Sequence, residues 1–267
     1  MDSVSLAGVR LVATCWDEAI EAFSGPPLRS DQQIVRFINA VNISMAYRDS
    51  DYAALLGDPR SVNIPDGRAL RWAVRFTNRS PVELSVLPGP DFFRRSLAAS
   101  TSPSSFTGAT PPRHFFVGRD ASLLDNLTAA ARTLNPAVQI VGTYAPPFAP
   151  VDQRLALHVA ERVRTSNATS VWLGIGTPRQ DELAKLLADL VPTMRIYTVG
   201  AAMEFLTGDK RRAPSWVRQA GAEWLFRMLQ EPRRLGRRYA VGNTVFVALV
   251  IRQAISRRRE DANSSLS

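Results

Sequence analysis

The chain has 267 residues, of which 45% are hydrophobic, and this excludes a mostly disordered protein. The formal net charge is +9, but residues 209–259 hold 13 Lys or Arg against three acids, while the rest of the chain is nearly neutral. This distribution predicts an anionic partner for the C-terminal quarter, either nucleic acid, acidic lipid or a phosphorylated substrate, with a solvated basic face as the alternative.

The single cysteine, Cys15, cannot form an internal disulfide, and residues 1–12 lack the basic region and apolar run of a secretory signal. Both features favour a reducing cytoplasm. The longest apolar run, residues 241–251, contains Asn243 and Thr244 and is shorter than the roughly 18 to 20 apolar residues that cross a bilayer. We therefore expect no membrane span.

Strand and helix patterns alternate along most of the chain. Short apolar runs rich in β-branched residues predict buried strands over residues 33–40, 61–64, 114–118, 138–144, 170–176 and 195–200. Leucine and alanine at spacings of three and four predict helices over residues 121–134, 152–165 and 180–190. The fold class is therefore α/β, with a doubly wound, mostly parallel sheet.

Two segments depart from this alternation. Residues 96–112 are rich in Ser, Thr and Pro, which predicts a surface loop. After Gly208 the alternation stops, and residues 216–259 predict two or three basic helices interrupted at Pro232 and Gly242. We therefore divide the chain into a core, residues 1–208, and a basic helical C-terminal appendage, residues 209–267.

Ligands of open parallel sheets bind beyond the carboxyl ends of the strands, where Asn39, Asp66, residues 174–180 and residues 200–204 are expected. Pro65-Asp66-Gly67 is typical of an ordinary turn. At a strand end, however, Asp66 could also serve as a general base.

Residues 174–178 have the sequence Gly-Ile-Gly-Thr-Pro and connect a predicted strand to a predicted helix. Such a turn can direct backbone N–H groups toward a phosphate or a sugar hydroxyl, or it can simply let helix and strand pack closely. The missing third glycine disfavours a nicotinamide enzyme. Gln180, Asp181 and Glu182 in the first helical turn could face a ligand or complement the helix N-terminus.

The residues disfavour a metal site. Asp49-Ser50-Asp51 matches the Asp-x-Asp pattern of metal-dependent nucleotide-sugar enzymes, but it follows a helical pattern, and we interpret Asp49 as a helix end. His114 and His158 with one cysteine cannot assemble a soft-metal cluster. No metal and no cofactor are expected.

Arginine is concentrated in the C-terminal segment, where it alternates with Trp, Phe and Tyr between Arg211 and Tyr239. The planar guanidinium binds phosphate oxygens in bidentate fashion and cannot lose its charge, so a cluster could hold a diphosphate without a metal. On an uninterrupted helix Arg227, Arg234 and Arg238 would share one face, although Pro232 makes that register uncertain.

Taken in order, these motifs resemble those of the WecG/TagA/CpsF glycosyltransferase family, from residue 39 to residue 239. The similar elements are Asn39, Pro65-Asp66-Gly67, Phe116-Val117-Gly118, Ile140-Val141-Gly142, Gly174-x-Gly-x-Pro-x-Gln180-Asp181, Val199-Gly200, Arg212-Ala213-Pro214-x-Trp216, Glu223-Trp224-x-x-Arg227 and Glu231-Pro232-x-Arg234.

The resemblance implies a Rossmann-like core whose appendage completes the active site near the membrane. It also implies an inverting enzyme that transfers a sugar, typically N-acetylmannosamine or its uronic acid, from a UDP-sugar donor to a polyprenyl-diphosphate-linked saccharide. Such enzymes build bacterial cell-surface polysaccharides and teichoic acids. The expected location is the cytoplasm, in peripheral contact with the anionic inner face of the cytoplasmic membrane.

The resemblance also assigns roles to residues. It implies that Asp66 is the catalytic base and that Asn39 and Gln180 contact substrate. Arg227, Arg234 and Arg237 are expected to bind the donor diphosphate, and Gly176 and Arg212 complete the candidate substrate-binding set. The departures from the family pattern are Phe37 for a Thr, Asp181 for a Glu and Glu204 for an Asp, and Phe37 leaves the donor sugar open.

Two other hypotheses remain at this point. The basic C-terminal quarter with interspersed aromatic residues could form a nucleic-acid-binding module. If the chain is a transferase, we expect no nucleic acid among its partners. An inactive family member that acts as an interaction subunit is the second alternative. The sequence patterns do not identify the acceptor sugar or the polymer. They also leave the oligomeric state open, with a homo-oligomer as one alternative.

Overall fold

The computed structural model describes residues 2–25, 27, 32–77, 83–99 and 111–264, without the side chains of residues 234, 237, 238 and 258–264. Its strands are β1 (Ser3–Leu6), β2 (Val9–Val12), β3 (Ile34–Ile38), β4 (Ser61–Pro65), β5 (Arg113–Val117), β6 (Gln139–Tyr144), β7 (Ser170–Leu173) and β8 (Arg195–Thr198). Its helices are α1 (Trp16–Phe23), α2 (Ala40–Arg48), α3 (Ser50–Leu56), α4 (Arg68–Thr77), α5 (Gly89–Ala99), α6 (Ala121–Leu134), α7 (Gln153–Thr165), α8 (Arg179–Leu190), α9 (Ala202–Thr207), α10 (Ser215–Gln219), α11 (Glu223–Gln230) and α12 (Pro232–Ser264).

Six strands form a parallel sheet in the order β4-β3-β8-β7-β5-β6. After β4, which lies at one edge, the chain crosses to the other half of the sheet and forms β5 there. Helices cover both faces, and each face has its own apolar cluster. Trp172 of β7 and Tyr197 of β8 stack at 3.7 Å in the first of these clusters. The predicted α/β class with a mostly parallel, doubly wound sheet is confirmed.

A hairpin of β1 and β2 precedes this sheet, and the sequence patterns did not predict it. Its turn residues Ala7 and Gly8 both have positive φ, 50° and 83°, as a two-residue turn between twisted strands requires. Alternate residues of the hairpin are buried against α2, α3, α4 and α12. The Ala-Gly turn carries a weaker signal than Asn-Gly, which explains why the pattern gave no indication.

The predicted helices over residues 121–134, 152–165 and 180–190 correspond to α6, α7 and α8. Asp120 and Asp152 cap α6 and α7 by accepting hydrogen bonds from Leu123 and Leu155 N–H, both at 2.8 Å. The loop predicted over residues 96–112 is wrong at its start, because α5 continues to Ala99 and buries Leu97. Residues 100–110 of that prediction lie outside the described part of the chain.

The C-terminal segment forms α10, α11 and α12. The predicted break at Pro232 is confirmed: Pro232 is the first residue of α12, a position that does not need its missing N–H. The predicted break at Gly242 is wrong, because α12 passes through it. A Cβ at Gly242 would lie 3.2 Å from Val41 Cγ2, so this glycine lets α12 approach α2 closely.

Helix α12 also differs from the expectation that no apolar segment of this chain is long enough to cross a membrane. Its segment Tyr239–Arg257, with mean hydropathy 1.3, has the length and composition of a span. One face lies on α2 and α4 through buried Phe246 and Leu249, while Val247 and Ile251 are exposed. The segment therefore presents an apolar face outward while it is anchored to the core. The division of the chain at residues 208 and 209 stays a prediction.

Candidate active site

A cleft of about 1160 Å³ lies along the carboxyl ends of the parallel strands. Its floor is made by residues that follow five strands, and α4, α10, α11 and α12 contribute to its walls. The floor residues are Asn39, Asp66, Arg119, Gly174 to Thr177, Arg179, Gln180 and Val199 to Ala202. The strand ends that the sequence singled out therefore meet in one place, as a parallel sheet requires.

Asp66 directly follows β4 and is held there by its backbone, whose N–H donates to Ile38 O at 2.6 Å. Gly67 has φ of +121°, a conformation that side chains rarely adopt, so this turn needs a glycine. Among the described residues no side chain donates a hydrogen bond to the Asp66 carboxyl. Its position, and the absence of such a donor from the described part of the chain, leave it available to a ligand.

The pKa of Asp66 is raised to about 7. Burial is the largest cause, and the negative charge of Glu223 on α11 is the next. The positive charges of Arg227 and Arg212 act in the opposite direction. A carboxyl that titrates near neutrality can accept a proton in a reaction at that pH.

Of the three arginines expected to bind the donor diphosphate, the structure describes the side chain of Arg227. Arg227, on α11, lines the cleft with its guanidinium 5.5 Å from the Phe205 ring, and no ion pair is formed with it by the described residues. The side chains of Arg234 and Arg237 lie outside the described part of the structure. Of these three arginines, Arg227 is the one whose described position in the cleft suits contact with an anionic ligand.

Arg212 does not line the cleft. Its Nη2 donates to Asp91 Oδ2 at 2.7 Å, its Nη1 donates to Asp91 Oδ1, and its Nε lies 3.8 Å from Glu223 Oε1. Burial alone would raise the pKa of Asp91, but these hydrogen bonds and the charge of Arg212 outweigh it and hold that pKa below its usual value. The geometry gives Arg212 the task of placing Glu223 and Asp91, and its substrate contact stays a prediction.

Asn39 lies in the cleft and also caps α2. Its Oδ1 accepts from Val41 N–H at 3.0 Å and from Asn42 N–H at 3.4 Å, and Asn42 Oδ1 accepts from Asn39 N–H in return. This exchange holds the side chain by its Oδ1, and Nδ2 makes no hydrogen bond with the described residues. Its predicted substrate contact would use that nitrogen.

Gln180 links the two central strand ends. Its Oε1 accepts from Gly200 N–H at 3.1 Å, and its Nε2 lies 3.4 Å from Thr177 Oγ1. Gly176 has φ of +84° and leaves its backbone open to the cleft, whereas a Cβ at Gly174 would lie 2.6 Å from Met203 Sδ. Gly176 therefore serves the turn, and Gly174 serves the close packing of α9.

Asp181 faces away from the cleft, so the alternative in which it meets a ligand is wrong. Its Oδ1 accepts from Arg36 Nη1 at 2.7 Å and its Oδ2 accepts from Tyr52 OH at 3.2 Å, all in the buried core. Asp49 accepts from the N–H groups of Asp51 and Tyr52 and caps α3. The interpretation of Asp49 as a helix end is confirmed.

The strand-end rule included Glu204 among the expected ligand-binding positions, but it did not predict the charged cluster that Glu204 forms on the cleft wall. Glu204 is buried, and its Oε1 lies 3.4 Å from both Arg119 Nη1 and Lys210 Nζ. Its Oε2 has no hydrogen-bond partner in the described structure. Arg119 follows the end of β5 closely, so the strand-end rule could have found it had it been applied to that strand as well.

Several tail cations have partners inside the protein: Arg212 pairs with Asp91, and Lys210 pairs with Glu204 and, at 3.1 Å, with Glu231. They do not form an open basic surface. His114 accepts from Trp172 Nε1 at 3.0 Å in the core, where burial lowers its pKa to about 3. The described residues contain no group of three His, Cys, Asp or Glu side chains placed to hold a metal.

Comparison with known proteins places this chain among glycosyltransferases. A relative from Bacillus subtilis (strain 168), N-acetylglucosaminyldiphosphoundecaprenol N-acetyl-beta-D-mannosaminyltransferase, is 25% identical over 214 residues, which cover 79% of this chain and 78% of the relative. The model of the family described as Glycosyl transferase WecG/TagA/CpsF matches residues 4–260. With that match extending over nearly the whole chain, this protein belongs to the WecG/TagA/CpsF family of glycosyltransferases.

Proposed function

We propose that this glycosyltransferase moves a sugar from a UDP-sugar to a polyprenyl-diphosphate-linked saccharide, with inversion at the anomeric carbon and without a metal. The observation that carries the proposal is that Asp66, a carboxyl with a pKa of about 7, shares one cleft with Arg227 of α11. The Bacillus subtilis relative is named for an undecaprenol-diphosphate-linked acceptor, and we extend a lipid-linked acceptor to this chain. The product would be a precursor of a bacterial cell-surface polysaccharide or teichoic acid.

In the proposed reaction Asp66 accepts the proton of an acceptor hydroxyl as that oxygen bonds to the anomeric carbon of the donor. The bond from that carbon to the UDP oxygen breaks, and its electron pair leaves with UDP. A single displacement of this kind inverts the anomeric centre. General base catalysis of this type supplies about 100- to 10,000-fold in rate.

The leaving diphosphate gains negative charge as this bond breaks, and fixed cations in the cleft would stabilise it. Arg227 lies in the cleft and has no carboxylate partner among the described residues. We propose that Arg234 and Arg237 assist it, since both belong to α12, which follows α11 directly. A guanidinium is well suited to this task because it binds two phosphate oxygens at once.

The lipid end of the acceptor and the membrane would meet the apolar rim of the same cleft. Trp72 and Phe76 of α4 and Val247 and Ile251 of α12 line it, and each is 49 to 65% exposed. Arg252 and Arg257 extend from the same helix as the last two. An exposed apolar face flanked by cations is typical of a helix that lies on an anionic leaflet, so we propose peripheral contact with the inner face of the cytoplasmic membrane.

The decisive test is Asp66→Asn in an assay with radiolabelled UDP-sugars and a polyprenyl-diphosphate-linked N-acetylglucosamine acceptor. We expect turnover to fall about 100- to 10,000-fold, while UDP still raises the melting temperature of the variant. Wild-type turnover by a folded Asp66→Asn variant would exclude Asp66 as the base. A protein that no UDP-sugar and no UDP stabilises would contradict the proposed donor class.

A further inference from the structure

One end of the cleft has an apolar wall, formed by side chains from three separate parts of the chain. Trp16 begins α1, Phe37 lies near the end of β3, and Val86, Pro88 and Pro90 belong to the segment that enters α5. Phe37 is 8% exposed and also packs on Phe92 of α5, with ring centroids 5.2 Å apart. The wall is thus continuous with the core beneath it.

The start of α5 packs closely against one side of Phe37. A Cβ at Gly89 would lie 3.1 Å from Phe37 Cγ and 3.2 Å from Phe37 Cβ, so the glycine lets the start of α5 close on the ring. Leu87 N–H donates to Pro65 O at 2.9 Å, which ties the Pro88 segment to the end of β4. The wall is therefore supported from behind by α5 and β4, and its other side meets the cleft.

The wall is next to the proposed base. Asp66 N–H donates to the carbonyl of Ile38, the residue after Phe37, and neighbouring strands lie about 4.8 Å apart. If Asp66 takes a proton from the oxygen that attacks the anomeric carbon, we expect the transferred sugar to lie on the side of the cleft that Phe37 lines. This step rests on the proposed function.

We propose that Phe37, Trp16 and Pro88 form an apolar wall of the donor-sugar subsite that faces carbon 6 of the donor sugar and selects a neutral sugar over a uronic acid. The carbon of a neutral substituent placed on this wall loses only unfavourable contact with water. A carboxylate placed there loses its hydration and gains no partner from the wall itself.

Three arginines that contact Trp16 or Asp91 are engaged by groups of the protein itself. Arg95 covers the Trp16 ring at 4.3 Å from its centroid but does not line the cleft. Arg212 binds Asp91, and Arg218 has its Nη1 3.9 Å from the same carboxylate and its Nε donating to Ala213 O. Asp91 thus offsets charges that could otherwise attract a uronic acid.

The experiment compares two pairs of donors that differ only at carbon 6, UDP-N-acetylmannosamine with its uronic acid and UDP-glucose with UDP-glucuronic acid. For each pair we measure kcat/KM for transfer to the lipid-linked acceptor and the dissociation constant by thermal shift. We expect the wild-type protein to favour the neutral donor by at least about tenfold. Phe37→Thr should lower that preference about tenfold, and the apolar Phe37→Leu should keep it.

Two further variants separate specificity from loss of core packing. Phe92→Leu removes a ring that touches Phe37 but does not line the cleft, so it should lower the melting temperature and leave the donor preference unchanged. Trp16→Gln alters the wall from another element and should shift the preference in the same direction as Phe37→Thr. A wild-type preference for the uronic acids would overturn this inference and leave the proposed function intact. An unchanged donor preference in both Phe37→Thr and Trp16→Gln would do the same. Failure of every UDP-sugar to bind or react would instead remove the proposed function.

Discussion

Asp66, which follows β4, lies close to Glu223 of α11, and burial together with the charge of Glu223 raises the pKa of Asp66 to about 7. The proposed base thus depends on a residue from the C-terminal segment. The same segment contributes Arg227, whose positive charge opposes the shift. Because α11 contributes both to the raised pKa of the carboxyl and the arginine proposed to bind the diphosphate, the C-terminal helices are part of the proposed chemistry.

The first prediction concerns pH. The base is active when it is ionised, so kcat/KM should rise as the pH increases through about 7 and then level off. Glu223→Gln removes the second cause of the raised pKa, so the rise should move to lower pH. A matched control is Glu161→Gln on the exposed side of α7, which should leave the profile unchanged. A profile that is flat between pH 5 and 8 would contradict the prediction.

The second prediction concerns stability. In the unfolded chain Asp66 has the ordinary carboxyl pKa of about 3.8, whereas in the folded protein its pKa is about 7. Ionisation therefore favours the unfolded state, and stability from this group is lost as the pH rises from about 4 to about 7. At pH 8 the free energy of unfolding of Asp66→Asn should thus exceed that of the wild type by about 2 kcal/mol, a figure that allows for screening by solvent. At pH 4 it should not exceed that of the wild type. Urea denaturation at the two pH values measures this difference, and equal stabilities at pH 8 would refute it.

The third prediction concerns Arg227. If its guanidinium stabilises the leaving diphosphate, Arg227→Ala should lower kcat about 100- to 1000-fold and weaken UDP binding. Arg227→Lys should recover only part of the loss because an ammonium lacks the bidentate fork. Exposed Arg132 on α6 gives the control, since Arg132→Ala removes an equal charge far from the cleft. Equal kinetics for Arg227→Ala and this control would remove Arg227 from the site.

The fourth prediction concerns the membrane. Replacing the exposed Val247 and Ile251 by Ser should reduce sedimentation with anionic vesicles, because each side chain loses up to about 1.5 to 3 kcal/mol of burial. High salt should also release the wild-type protein, since each cation near the surface adds about 1 kcal/mol. Leu157→Ser on α7, which is 50% exposed, provides a control of similar exposure outside the cleft. Unchanged vesicle binding by the double variant would exclude this face as the contact.

The parts of the fold that local patterns encode could be predicted. Apolar β-branched runs marked the six strands of the sheet, and regular leucine and alanine spacing marked α6 to α8, because both signals depend on neighbours within a few residues. Pro232 was correctly predicted as a break for the same reason. The predicted break at Gly242 was wrong, because the close approach of α12 to Val41 overrides the low helix propensity of glycine. No local pattern contains that approach.

The candidate site could be predicted less completely. The rule that ligands bind at the carboxyl ends of parallel strands placed Asn39, Asp66 and Gln180 near one another, and all three line the cleft. The rule could not separate Asp181, which points into the core toward Arg36, from its neighbour Gln180. Successive helical residues point in different directions, and only the packed neighbours decide which of them meets the cleft.

By itself the sequence determined the order of strands and helices, the basic character of the tail and the presence of a polar residue after β3 and β4. These features follow from composition and from spacing along the chain. The tertiary structure decided that Arg227 is open to the cleft while Arg212 is bound by Asp91, and that Glu223 lies close enough to Asp66 to raise its pKa. Charge and burial act through space, so residues that are distant in the chain influence one another only after folding has brought them together.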